Sequence, residues 1–270
     1  MALYGQPNQW QCGPFALKHA LLVQGISAHE DELARQAGSS EAAGTDEHGL
    51  ARAAADYSAH LVITRCHSRR AARRTLARWL ADHPVMLCLD QWEHWVTAVA
   101  ADEQRVVVFD SHYDTVLRVE PWDTVLHRTV YLQPWRIGFG AWTWYDLHAV
   151  ALRAPRPQRV PFTPQGAERL VKAGPRLMTR WDEYLAALRP LSDPHGAKAL
   201  PDVLERVRTE VNPADHARLD DLLITAEAFG LRSRALRPTR VLDELFPPMR
   251  VVGAQVELPF ARRIAAPAHS

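Results

Sequence analysis

The chain has 270 residues and a mass of 30.4 kDa, the length of about two average domains. Hydrophobic residues make up 47% of it and charged residues 23%, which is typical of a globular protein with a sizeable core. Lysine and arginine number 32 against 31 acidic residues, so no overall charge favours nucleic acid or anionic lipid. No apolar run reaches the ~18–20 residues of a membrane helix, and the first residues lack a signal-peptide pattern. We therefore expect a cytoplasmic protein with no membrane span.

The first part of the chain is predicted to be helical. A helix is expected over residues 12–24, with Pro14 in its first turn, where the missing N–H of proline is tolerated. Gly25 closes this helix, and a second is predicted over 27–36. A third is predicted over 46–55.

The middle of the chain is predicted to form a sheet. A short strand at 61–65 and a basic helix at 68–82 come first. The expected strands that follow are 84–90, 94–101, 105–110, 115–119 and 145–152. Helices followed by a sheet indicate an α+β fold, since a doubly wound fold would alternate the two.

Prolines mark the next change of pattern. Four of them fall within residues 155–164, which predicts a linker. The segments expected beyond it are helices at 165–172, 175–188, 201–211 and 213–229 and a strand at 251–256. The expected organisation is therefore a first domain over 1–154, the linker, and a mostly helical accessory region over 165–270.

Cys12 lies where a thiol would be activated. It starts the first predicted helix, where unpaired backbone N–H groups and the helix dipole favour a thiolate. Packing as a small core residue is the alternative for a cysteine before Gly-Pro. Gln6 lies six residues upstream and could donate to the oxyanion that forms when a thiolate attacks a carbonyl. The pair indicates covalent catalysis by Cys12.

A cysteine nucleophile needs a base and a group that orients the base. His94 opens an apolar strand, and Asp110 ends the strand that follows. Because residues 102–104 form a tight connection, the two strands should be antiparallel neighbours, which places the start of one beside the end of the other. We therefore expect His94 and Asp110 within hydrogen-bond reach. Taken singly, each could instead be a polar strand end that faces water.

Four residues, in order and with their local contexts, match a known pattern: Gln6, Cys12, His94 and Asp110. The pattern resembles the papain-like bacteriocin-processing cysteine peptidases, which remove leader peptides after a double glycine. The resemblance covers approximately residues 4–150. It implies an α+β, papain-like peptidase domain in which N-terminal helices pack on an antiparallel sheet.

The resemblance also implies roles for these side chains. Cys12, His94 and Asp110 occupy the positions of nucleophile, base and orienter, and Gln6 the position that lines the oxyanion hole. No metal or organic cofactor is required. The family's best-known members are fused to membrane-spanning ABC exporters, whereas this chain has neither spanning helices nor a Gly-Lys-Ser/Thr phosphate loop. We therefore expect a free-standing relative.

The sequence thus predicts a cysteine endopeptidase acting on a peptide or protein, with cleavage after Gly-Gly as one expected specificity. The same triad would make an acyltransferase if an amine resolved the acyl-enzyme, or a deamidase if the substrate were a side-chain amide. A non-catalytic module that holds a Gly-rich peptide is a further alternative. The helical region beyond residue 164 is expected to dock substrate or a partner protein, or to cover the catalytic domain.

Trp92 and Trp95 flank His94 and are candidates for substrate contact. We hypothesise that they narrow the cleft and so favour small residues such as glycine beside the scissile bond. Ordinary core packing is the alternative for both.

Other chemistry-bearing residues favour structural interpretations. Cys88 lies between apolar neighbours, which is typical of an inert core thiol. Cys66 and His67 have no partner at metal-ligand spacing, so a zinc site is not expected. Five arginines decorate the helix at 68–82, but without interleaved aromatic residues they predict a solvated face and not a nucleic-acid surface.

Overall fold

The structure is a computed structural model that describes residues 5–134, 141–153, 163–173, 177, 180–193, 196–228, 231–233 and 238–246. Its first three helices are α1 (Cys12–Leu22), α2 (Glu30–Ala37) and α3 (Glu47–Asp56). Helix α3 begins where predicted, because the carboxylate of Asp46 accepts a hydrogen bond from the N–H of Gly49 at 2.6 Å. Helix α2 begins later than predicted, because its cap is the ring of His29 and not Ser27.

In the described residues 59–134 and 141–152, seven antiparallel strands follow, with two helices between them. The strands are β1 (Ala59–Cys66), β2 (Val85–Leu89), β3 (His94–Ala101), β4 (Arg105–Phe109), β5 (Leu117–Pro121), β6 (Val130–Pro134) and β7 (Ala141–Leu152). The helices are α4 (Arg69–Asp82) and α5 (Trp122–Thr129). The strand order is β1-β7-β2-β3-β4-β5, and β6 pairs with the first half of β7. The sequence did not predict α5 or β6, because both are short and no turn residue separates them.

Helices cover both faces of the sheet. Side chains alternate along a strand, so neighbouring residues of β2 point to opposite faces. Met86 and Cys88 join a buried cluster with α1, α2 and α3, whereas Leu87 and Leu89 join one with α4 and α5. This arrangement confirms the predicted α+β class, with N-terminal helices packed on an antiparallel sheet.

The C-terminal region is mainly helical. Its elements are α6 (Pro164–Ala173), α7 (Trp181–Leu188), β8 (Lys198–Ala199), α8 (Leu200–Arg206), α9 (His216–Ala228), β9 (Arg232–Ser233) and α10 (Pro238–Leu245). Pro164, assigned to the linker, instead begins α6, since proline is tolerated in a first helical turn. The helix predicted over 201–211 ends at Arg206, and a separate 3-10 turn follows. Residues 155–162 of the predicted linker and the strand predicted at 251–256 lie outside the described residues.

The C-terminal helices share a hydrophobic core with the sheet. Val107 and Phe109 of β4 belong to the same buried cluster as Leu170 of α6 and Leu219 of α9. A salt bridge joins Arg105, at the start of β4, to Glu168 of α6 at 2.5 Å. The division of the chain at residues 154 and 165 stays a prediction. Within the described ranges, no helix has the length and apolar character needed to cross a bilayer.

Candidate active site

Cys12 is the first residue of α1, and a 3-10 turn at Gln9–Gln11 leads into it. The residue is 4% exposed and joins the buried cluster between α1 and the sheet. Backbone N–H groups of a first helical turn have no intrahelical partners, so they are available to an anion. The backbone N–H groups of Gly13 and of Trp95, on β3, both act to lower the pKa of the Cys12 thiol. The helix start and the strand together form a cradle for a thiolate.

His94 and Asp110 meet at one edge of the sheet. His94 begins β3 and Asp110 directly follows β4, and these strands pair antiparallel with Thr97 opposite Phe109. The Nε2 atom of His94 lies 2.6 Å from Oδ1 of Asp110. The N–H of His112 also donates to Oδ1, at 3.1 Å. This pairing is the geometry that the tight connection at 102–104 predicts.

The ring of His94 connects Asp110 to Cys12, because it lies close enough to the sulfur for each group to shift the pKa of the other. Since Nε2 serves Asp110, the nitrogen left for the sulfur is Nδ1. Burial alone would raise the pKa of the Cys12 thiol. The hydrogen bonds from His94 and the N–H of Trp95, together with the charge of the ring, outweigh burial and hold that pKa below its ordinary value.

The pKa values of His94 and Asp110 are shifted in the directions that favour the charged forms of both groups. Burial would lower the pKa of His94, but its hydrogen bonds to Asp110 and Cys12 and the negative charge of both raise it to about 9. Burial would raise the pKa of Asp110, but the bond to His94 and the N–H of His112 hold it below its ordinary value. The three shifts together favour the charged forms of these groups: a thiolate, an imidazolium and a carboxylate.

Gln6 is tied to the residue that follows Asp110. Its N–H donates to the carbonyl of Ser111 at 2.8 Å, and the hydroxyl of Ser111 donates to its Oε1 at 2.7 Å. Its Nε2 donates to the carbonyl of Asn8 at 2.9 Å. The structure thus connects Gln6 to the Asp110 end of the site through Ser111.

The two tryptophans pack beside Cys12. Trp95 is 3% exposed, belongs to the cluster that contains Cys12, and donates its indole N–H to the carbonyl of Thr45 at 2.9 Å. Trp92 is half-buried and stands edge-on to Trp95, with ring centroids 6.0 Å apart. Both rings also contact the buried ring of His148. Trp95 therefore packs in the core, which was the alternative to substrate contact, and Trp92 lies at the margin of the same cluster.

A strained turn before His94 was not predicted. Asp90, Gln91 and Trp92 have φ angles of 55°, 63° and 72°, a left-handed conformation that costs non-glycine residues about 1–3 kcal/mol each. The side chain of Gln91 donates to the carbonyl of Val130 at 3.0 Å and accepts from the N–H of Leu132 at 3.1 Å. The amide thereby pairs with β6 as a strand residue would.

Arg128, near the end of α5, holds the start of the same turn. Its guanidinium contacts the carboxylate of Asp90 at 2.6 Å, and its carbonyl accepts from the N–H of Asp90 at 2.8 Å. Its charge also contributes to the lowered pKa of Asp110. Neither Gln91 nor Arg128 stands in a recognisable motif. The one available signal was a polar turn before His94.

The other chemistry-bearing residues considered in the sequence have structural surroundings. Cys88 is 7% exposed, and burial raises the pKa of its thiol, with the nearby sulfur of Cys12 as a further cause. Arg69 of α4 pairs with Asp123 at 2.8 Å, so this part of the basic helix is engaged within the fold. Among the described residues, no group of three or more His, Cys, Asp or Glu side chains is placed to hold a metal ion.

No protein-family model and no curated protein matches the chain. It is similar in structure to the peptidase domain of Streptococcus ComA, a bifunctional ABC transporter of a quorum-sensing pathway, at 12% identity and a TM-score of 0.42 over 56% of this chain and 98% of that one. It is also similar to a double-glycine-motif protease from an AMS/PCAT transporter, solved in complex with the leader peptide. The identity is 13% and the TM-score 0.39, over 54% of this chain and 89% of that one. The peptidase domain of Streptococcus mutans ComA is similar at 12% identity and a TM-score of 0.32, over 56% of this chain and 99% of that one. At such values the likeness says nothing about the reaction of this chain.

Proposed function

We propose that the protein is a cysteine endopeptidase with Cys12 as nucleophile, His94 as base and acid, and Asp110 as orienter. The observation that carries the proposal is the position of the His94 ring, which lies 2.6 Å from the carboxylate of Asp110 and close enough to Cys12 that the ring and the sulfur shift each other's pKa. A structural cysteine has no need of a charged imidazole and two donating N–H groups, whereas an attacking thiolate needs them.

The reaction proceeds by an acyl-enzyme. The thiolate of Cys12 adds to the substrate carbonyl carbon, and the C=O π electrons move to oxygen, where the N–H of Cys12 and the amide of Gln6 hold the charge. The carbonyl reforms, the C–N bond breaks, and His94 gives its proton to the leaving amine. His94 then takes a proton from water, whose oxygen adds to the thioester, and the S–C bond breaks to return the thiolate.

The burial of the site supports a small-residue specificity. Cys12 is 4% exposed and the side chain of His94 is 14% exposed, so a chain reaching the sulfur must be narrow at the scissile bond. Trp92, half-buried at the margin of the cluster that contains Cys12, is proposed to narrow the approach further. We propose cleavage next to glycine, with Gly-Gly as the leading candidate. The C-terminal helices are proposed to stabilise the sheet and to offer a surface for substrate or a partner protein.

The test compares two cysteine variants against a library of peptides that contain internal Gly-Gly, with mass spectrometry of the products. Cys12→Ala should remove all turnover at an unchanged melting temperature. Cys88→Ala, the matched control in the same buried cluster, should retain turnover because its thiol is held protonated. Cleavage that survives Cys12→Ala would disprove the proposal.

The products also separate the alternatives. Hydrolysis yields a new carboxyl end, acyl transfer yields an amide of an added amine, and deamidation leaves the chain uncut. If peptides bind but none changes, and iodoacetamide leaves Cys12 unlabelled at neutral pH, the site is a binding groove and not an enzyme.

A further inference from the structure

Ser111 forms a two-point clasp on Gln6. Its carbonyl accepts the N–H of Gln6 at 2.8 Å, and its hydroxyl donates to Oε1 of the Gln6 side chain at 2.7 Å. Ser111 is 2% exposed, so water does not compete freely for this hydroxyl. Backbone and side chain of Gln6 are therefore held by one buried residue.

The clasp determines which way the Gln6 amide faces. The carbonyl of Asn8 can only accept a hydrogen bond, so the atom 2.9 Å from it must be the nitrogen of the amide. Oε1 then faces Ser111, whose hydroxyl is able to donate. One hydrogen of Nε2 goes to Asn8, and the second is left for another acceptor.

Ser111 directly follows Asp110, so two neighbouring residues contact two different groups of the proposed site. Asp110 holds the ring of His94 at 2.6 Å, and Ser111 holds the amide proposed to stabilise the oxyanion. We infer that Ser111 is a positioning residue that orients the Gln6 amide as an oxyanion donor. This inference rests on the proposed function.

The inference makes a kinetic prediction for Ser111→Ala. Without the hydroxyl, Oε1 loses its donor and the amide is free to rotate. Removing an oxyanion donor outright costs about 10²–10³ in kcat, so loss of its orientation should cost about tenfold. Because the donor acts in the transition state, kcat should fall and KM should not change.

The experiment uses two reagents that depend differently on the oxyanion hole. The thiolate attacks the CH₂ carbon of iodoacetamide and displaces iodide without forming an oxyanion, so the alkylation rate reports Cys12 and His94 alone. A glycine-terminated peptide aldehyde labelled with ¹³C adds to the thiolate and forms a hemithioacetal, whose oxygen occupies the hole. The affinity of the aldehyde is measured by NMR for five proteins: the wild type, Ser111→Ala, Gln6→Ala, the double variant and Ser111→Thr. Thr225→Val, which removes a buried hydroxyl bonded to the Asp221 carbonyl at 2.7 Å in α9, controls for lost stability.

We expect Ser111→Ala to weaken aldehyde binding about tenfold, a fraction of the effect of a lost donor, while the iodoacetamide rate stays at the wild-type value. The double variant should bind no more weakly than Gln6→Ala, and Ser111→Thr should restore binding. Additive losses, an unchanged affinity for Ser111→Ala, or equal losses with both reagents would overturn the inference, as would a wild type that alkylates but binds no aldehyde. A clasp-dependent hemithioacetal in a protein that cleaves no peptide would reject the peptidase proposal alone.

Discussion

Thr45 packs against Gly13 so closely that a β-carbon at position 13 would lie 2.8 Å from the β-carbon of Thr45. The carbonyl of Thr45 also accepts the indole N–H of Trp95. The loop before α3 therefore rests on the helix turn that carries Cys12, and Gly13 permits this approach.

Gly13→Ala should destabilise the protein by about 1–3 kcal/mol, the usual cost of overpacking a core. It should also slow alkylation of Cys12, because relief of the clash moves either the loop or the helix start. Urea unfolding and the iodoacetamide rate measure the two effects. Thr45→Gly in the same chain removes every atom that would clash and should restore both. An unchanged rate in the single variant would show that the loop does not position Cys12.

The pH dependence of activity follows from two shifted groups. The upper limb of the kcat/KM profile should fall near pH 9, where His94 loses its proton, and the lower limb below the ordinary thiol range, where Cys12 gains one. Asp110→Asn removes the charge that supports the imidazolium, so the upper limb should move to lower pH by about 1–3 units. An upper limb that does not move would mean that Asp110 leaves the His94 proton unaffected.

His19 predicts acid sensitivity of the fold. It is 1% exposed, packs on Phe109 with ring centroids 5.2 Å apart, and burial followed by the charge of Lys18 lowers its pKa to about 3. Between pH 6.5 and about 3 the unfolded chain binds the proton that the folded chain excludes, so stability falls as pH falls, by up to about 1.4 kcal/mol per unit.

His19→Leu should flatten that dependence. Denaturant unfolding between about pH 7 and pH 4 measures the slope of the unfolding free energy in each protein. His60→Gln, at an exposed position of β1, should keep the wild-type slope. If the slopes of wild type and His19→Leu agree, protons enter the folded core at position 19 without cost.

The two hydrogen bonds between the Gln91 side chain and β6 predict a loss of stability when its amide nitrogen is replaced by oxygen. Gln91→Glu replaces the N–H that donates to the carbonyl of Val130 with a carboxylate oxygen, and the strained turn loses a support. We expect the free energy of unfolding to fall by about 1–3 kcal/mol, the range for breaking a hydrogen bond and leaving its partner without one. Tryptophan fluorescence should change as well, because Trp92 is part of the turn. Exposed Gln104→Glu should change neither, and equal effects at both positions would argue against a role for these hydrogen bonds.

Much of the site could be predicted from local patterns. Cys12 was identified because a helix start is recognisable from Gly-Pro and the apolar period that follows. His94 and Asp110 were paired because a tight connection leaves two strands little choice but to run antiparallel. Each of these inferences uses local sequence, and the structure places His94 2.6 Å from Asp110 and close enough to Cys12 to lower the pKa of its thiol.

The long-range contacts that hold the site residues could not be predicted from local patterns. Ser111 meets Gln6 across 105 positions, and Arg128 meets Asp90 across 38. The C-terminal helices, predicted as a separate region, share a core with β4 and β5. Hydrophobic period and capping depend on a few adjacent residues and are written in the chain. Which distant polar groups finally meet depends on how all the helices and strands pack at once, so tertiary structure alone decided how the triad is held.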